Sequence, residues 1–202
     1  MNTLFQQMKS DFETINGVGK SIKCVFILFM LVAFLVSCDK EKTPVMDRAE
    51  SMMDTYPDSA LKLMERVKVD SLHTAETRAR YSILMAMARD KNDLKVENDS
   101  ALRKALSFYK QKGNRMRESQ AHFYLAAFYR GRDERALQYA CLDSALQCIP
   151  NEESRFGGII HATIAHLFLS TGLYEEAKSE FQKELKICKI TGDADLFVLS
   201  KK

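Results

Sequence analysis

The sequence contains no Trp, only three Pro and only eight Gly in 202 residues. That scarcity excludes a collagen-like repeat and a low-complexity polymer, both of which need Gly and Pro in bulk. Five Cys without a C-x-x-C pair exclude a small disulfide scaffold. Neither sign of charge dominates: 30 Lys plus Arg stand against 27 Asp plus Glu, a net +3. So even a balance gives no electrostatic footprint for nucleic acid. Catalytic signatures are missing too. There is no H-E-x-x-H, no Gly-flanked nucleophile and no carboxylate pair singled out by context. Gly19-Lys20-Ser21 mimics the end of a phosphate-binding loop, but Thr14 stands where its first Gly belongs. The expectation is a chain that is no enzyme, with no cofactor, no metal and no nucleic-acid partner.

What is present favours helices. Hydrophobic residues make up 46% and charged residues 28%, with many Ala, Leu, Met, Lys, Arg and Glu and few Val and Ile. The first long apolar run extends from Cys24 to Val36. A bilayer-spanning helix needs about 20 residues, clearly more than this run supplies. So short a run behind Lys20 and Lys23 suits the hydrophobic core of a secretory signal instead. The sequence Leu35-Val36-Ser37-Cys38 follows and resembles the lipobox of bacterial lipoproteins. The resemblance implies cleavage before Cys38, diacylglycerol on its thiol and usually an acyl group on its new amine. Two or three chains then hold the protein to a membrane, at about 0.8 kcal/mol per buried CH₂. Residues 1–37 would be the signal peptide and 38–45 a tether.

Beyond the tether, Gly113, Gly131, Gly157, Gly158, Gly172 and Gly192 separate helix-length segments. Lys110-Gln111-Lys112-Gly113-Asn114 returns as Lys189-Ile190-Thr191-Gly192-Asp193. Gly113 and Gly192 are thus two periods apart, each of about 39 or 40 residues, and self-similarity in that range predicts stacked helical hairpins. The detailed pattern resembles the tetratricopeptide repeat, whose hairpins occupy about 34 residues. Segment 158–191 carries His161, Ile164, Ala165, Phe168, Gly172, Ala177 and Phe181 in the repeat's slots, with Glu184 where Ala is usual. Segment 119–152 carries His122, Leu125, Ala126, Tyr129, Leu142, Ala145 and Pro150. Segment 78 to about 114 needs roughly four extra residues between its helices. Tyr56 to Met64 resembles the second helix of a degenerate opening repeat. The resemblance implies an all-α solenoid of about 3.5 repeats over 46–192, with a further or capping helix starting in 193–202.

Arrays of this family usually bind peptides or proteins on a concave surface lined by the first helix of each hairpin. Mapped there, the outward positions are Arg89, Phe123, Arg130 and His166, and Arg89 and Arg130 would present two guanidinium groups to carboxylates. His122 and His161 share the slot of a large aromatic and read as packing residues. Cys141 and Cys148 lie seven apart on one helix, about 10.5 Å along its axis, too far for a disulfide. Asp-Ser pairs at Asp58-Ser59, Asp70-Ser71, Asp99-Ser100 and Asp143-Ser144 resemble O-glycosylation sites of exported Bacteroidota proteins. For the pairs at 58 and 99, helix capping explains them equally well.

The expected function is a non-catalytic scaffold, lipid-anchored in the bacterial cell envelope, that binds a protein or peptide. It is similar to exported tetratricopeptide proteins of Bacteroidota. The alternatives are the sensory amino-terminal region of a larger regulator, or an accessory lipoprotein for envelope assembly or nutrient uptake.

Overall fold

The computed structural model describes residues 43–193. The signal-peptide expectation, Cys38 and the segment past Asp193 lie outside the described residues. Within them the fold is all-α: eight α-helices, one short 3₁₀ turn and no strand. The helices are α1 (Pro44–Met52), α2 (Pro57–Glu65), α3 (Ala75–Lys91), α4 (Asp99–Gln111), α5 (Arg115–Arg130), α6 (Arg135–Cys148), α7 (Arg155–Ser170) and α8 (Tyr174–Thr191), with the 3₁₀ turn at Val69–Ser71. None of them is long and apolar enough to cross a membrane.

Local chemistry explains where the helices start. Pro44 and Pro57 occupy the first turns of α1 and α2, where a missing N–H costs nothing. Helices α3, α5 and α7 begin behind Thr74, Asn114 and Ser154, which recur at one constant interval. Each side-chain oxygen accepts the backbone N–H three residues on: Thr77 at 3.1 Å, Arg117 at 3.1 Å and Gly157 at 3.2 Å. The caps of α2 and α4 are Tyr56 and Asn98, so the expected capping by Asp58-Ser59 and Asp99-Ser100 does not occur. Asp58 and Asp99 sit one residue or more inside and pair with Lys62 and Arg103 instead.

The helix ends repeat as well. Asp93, Asp133 and Gly172 take left-handed conformations, φ 56°, 59° and 79°, after α3, α5 and α7. The next residue's N–H then reaches back five residues: Leu94 to Arg89 O, Glu134 to Tyr129 O, and Leu173 to Phe168 O, at 2.9, 3.1 and 3.0 Å. Gly131, read from the sequence as the break after α5, is an ordinary right-handed residue at φ −63°. Asp133 makes the turn.

Consecutive helices pack as antiparallel pairs. At α5 and α6, Ser119 donates to Ala145 O at 2.7 Å and Arg115 to Gln147 O at 2.6 Å, which sets the start of one helix against the end of the other. Arg135 reaches Ser170 O from the start of α6 to the end of α7, and Arg155 reaches Asp193 from the start of α7 to just past α8. The segments 78–114, 119–152 and 158–191 each fall on one pair. The connection between α3 and α4, residues 92–98, is longer than those after α5 and α7.

Two large apolar clusters organise the interior, beside a small third one at Ile187 and Cys188 of α8. One joins Met46, Ala49, Met53, Ala60, Met64, Leu84 and Ala88 across α1, α2 and α3. The larger joins Ile83, Leu102, Ala105, Leu125, Leu142, Ile160 and Ile164 across α3 to α7. Helix α5 is enclosed: Ala121, Phe123, Tyr124, Leu125, Ala126, Ala127 and Tyr129 are all buried. Alternating alanines and aromatics allow that, because the small residues admit neighbouring backbones and the rings fill the gaps.

Candidate functional site

The first helices of the pairs meet through a lattice of charges. Glu50, near the end of α1, accepts from Arg80 of α3 and from Arg117 of α5, each at 2.5 Å. Arg80 also holds Asp47 at 2.6 Å. Asp54, just after α1, bridges Lys91 at the end of α3 and Arg155 at the start of α7, at 2.8 and 3.3 Å. Burial pushes the Glu50 carboxyl up, yet the hydrogen bonds and charges of Arg80 and Arg117 outweigh it and hold it below its ordinary value. Asp54 behaves likewise, with Lys91 and Arg155 overcoming burial. These groups satisfy one another across helices distant in sequence.

The expected binding residues take surroundings of their own. Phe123, expected to face outward, is 7% exposed and packs edge-on against Tyr124 and Phe156. The reason is the close approach of α7, whose first turn supplies Phe156. Arg89 and Arg130 do not form a shared clamp for carboxylates. Arg89 donates to Lys95 O and pairs with Glu97 at 2.8 Å, which fastens the long loop after α3. Arg130 pairs with Asp90 at 2.5 Å, which ties the end of α5 to the end of α3. Arg130 and His166 do share one shallow depression, with Asp133, Arg135, Gln138 and Thr163. Arg89 lies elsewhere.

Arg89 lines a groove of about 650 Å³ between α3 and α4. Its apolar surface comes from Ala79, Met85, Ala86, Val96, Leu102 and Phe108, and its polar lining includes Arg78, Ser82, Glu97 and Lys104. Val96, Glu97 and Asn98 of the long loop complete its lining. Arg78 is anchored by the Leu72 and His73 carbonyls, at 2.7 and 3.1 Å. Sequence reasoning singled out Arg89, though for a concave surface and not for this groove, and missed Met85 and Phe108. Their positions on helix faces give no sign that the gap between the helices stays open.

Two buried polar groups stand apart from the groove. His161 is 1% exposed, with Nδ1 2.6 Å from Glu180 and Nε2 3.0 Å from Glu152. The slot read as packing is thus a buried imidazole held between two carboxylates. Glu184, one turn beyond Glu180, is buried with Oε1 lacking a hydrogen-bond partner, and burial raises its carboxyl despite nearby His161. The second group is Glu118, His122 and Cys148, whose donor atoms lie within 4.8 Å of one another. Burial pulls the His122 imidazole below its usual value. Burial and the Glu118 carboxylate push the Cys148 thiol up. Cys141, Cys148 and Cys188 are free, in keeping with the spacing argument.

Residues 93–193 match the family described as a domain of unknown function, DUF7017. This chain belongs to the DUF7017 family. The DUF7017 match starts at Asp93, the left-handed residue after α3, and covers α4 to α8. It therefore takes in one wall of the groove and both buried polar groups, and leaves α1 to α3 outside. No curated protein and no solved structure matches the chain.

Proposed function

We propose that this protein is a non-catalytic scaffold with a tetratricopeptide-like solenoid, lipid-anchored through Cys38 in the bacterial cell envelope, that docks a protein or peptide partner between α3 and α4. The carrying observation is the groove of about 650 Å³, with apolar lining at Met85 and Phe108 and cationic groups at Arg78 and Lys104. A peptide offering apolar side chains flanked by carboxylates suits it, since the apolar groups gain by leaving water and the carboxylates by meeting the cations. The even spacing of the caps Thr74, Asn114 and Ser154 supports the repeat reading. The anchor rests on the basic flank, the apolar run and Leu35-Val36-Ser37-Cys38.

Photo-crosslinking in intact cells followed by mass spectrometry tests both parts. A photoreactive residue at Met85 or Phe108 should capture one defined partner, and one at the exposed Lys178 of α8 should not. Lys104→Glu should reduce capture several-fold. The same samples should yield an acylated amino-terminal peptide beginning at Cys38. Equal capture from Lys178 would remove the groove from the proposal, and an unmodified Cys38 still joined to Ser37 would remove the anchor.

A further inference from the structure

We propose that Glu118, His122 and Cys148 form a binding site for one Zn(II) ion, at the junction of α5 and α6. Glu118 and His122 are one turn apart on α5 and therefore share a face. Cys148 is the last residue of α6. Its approach is fixed by the hydrogen bonds from Ser119 to Ala145 O and from Arg115 to Gln147 O, so the three donors are brought together before any ion arrives. Their ligand atoms lie within 4.8 Å of one another. Tetrahedral Zn(II), with bonds of about 2.0–2.3 Å, places ligands about 3.5 Å apart. Side-chain torsions have to close that difference when the ion binds.

The donor set selects the metal. Thiolate and imidazole disfavour Mg²⁺ and Ca²⁺, which take oxygen ligands, and the carboxylate disfavours Cu(I), which prefers soft donors. One thiolate and one carboxylate neutralise the dication. The Cys148 proton is released to solvent on binding. Glu118 and Cys148 are buried and His122 is half-buried, which leaves a fourth position on the His122 side for water or another ligand.

Two cations oppose the ion: the charge of Lys110 on α4 acts on both His122 and Cys148, and Arg115 touches the donors themselves. The Arg115 guanidinium lies 3.6 Å from Glu118 and 3.9 Å from Cys148 Sγ. Both contacts are long, whereas its bond to Gln147 O is 2.6 Å, and its side chain is half exposed. Ion binding therefore requires the Nη1 end of Arg115 to turn away from the donors while Nη2 keeps Gln147 O. The next hairpin supplies an internal comparison. There His161 stands in the place of His122, but Gly157 and Ile187 stand where the α5–α6 hairpin has Glu118 and Cys148, and His161 is engaged by Glu152 and Glu180. The complete donor set belongs to α5 and α6.

The test uses the full chain, reduced and in detergent micelles, titrated with Co(II) and then with Zn(II) against a chromogenic chelator. One equivalent should bind, with a thiolate-to-Co(II) charge-transfer band. Cys148→Ser should abolish that band, and Glu118→Gln or His122→Gln should weaken Zn(II) binding by about a hundredfold. Cys188→Ser should leave it unchanged. Absence of the band in the unaltered chain, or its survival in Cys148→Ser, overturns the site. Where Cys148→Ser loses its helical circular dichroism, a chain with Cys141 and Cys188 changed to Ser decides: a band there supports the site, and none overturns it.

Discussion

Glu50 joins three helices through one carboxylate, which makes it the residue whose ionisation the fold should feel most. Its carboxyl is held below the ordinary value because Arg80 and Arg117 outweigh the effect of burial. A carboxyl depressed on folding contributes stability above its unfolded value of about 4.3, and that contribution is lost as pH falls through the lower folded value. Urea unfolding of the unaltered chain and Glu50→Gln should therefore differ most at pH 7. The gap should narrow steadily below pH of about 4, and a constant gap would show that charge on Glu50 does not matter. None of this was readable beforehand. Glu50 and Arg117 are 67 residues apart, and Arg155 and Asp54 are 101 apart. Periodicity within a hairpin carries no information about partners at such distances.

Helix ends show where sequence punctuation is reliable and where it misleads. Gly113, Gly172 and Gly192 adopt left-handed conformations, and the two matching phrases that contain Gly113 and Gly192 close α4 and α8 at φ 67° in both cases. Asp93 and Asp133 do the same work without glycine, so the recurrence after α3 and α5 is hidden under an acidic side chain, and Gly131 draws attention to the wrong position. Gly157 serves a different purpose. A Cβ there would lie 1.9 Å from Glu152 O, a backbone atom that cannot rotate away. Glycine is needed because the connection after α6 crosses the first turn of α7. Gly157→Ala should cost about 2 kcal/mol, since overpacking of about 3 kcal/mol is offset by about 1 kcal/mol of helix propensity. Gly172 has open space around it but φ of 79°, so Gly172→Ala should cost only about 1 kcal/mol. Denaturant midpoints measured in parallel check the order. A smaller loss at Gly157 would mean the 151–154 connection yields to α7.

At the scale of the whole described region, α3 is a shared wall. Its neighbours Ile83 and Leu84 are both fully buried, yet they serve different interiors: Ile83 the cluster running to α7, and Leu84 the methionine-rich cluster with α1 and α2. The sequence made the hairpins legible, because apolar spacing within α5 to α8 marks which helices pair. It did not reveal that α3 divides its faces this way, since Met46, Met53 and Met64 lie before the region where the repeat pattern is clear. Replacing either residue by Ala should cost about 3 kcal/mol. The losses should appear in different places. Hydrogen exchange should quicken in α1 and α2 for Leu84→Ala, with α5 and α6 still protected. For Ile83→Ala the acceleration should centre on α4, α5 and α6. Identical exchange maps for the two variants would mean that both interiors open in one step, and that the charges joining α1 to α5 and α7 couple them more strongly than the two separate apolar clusters divide them.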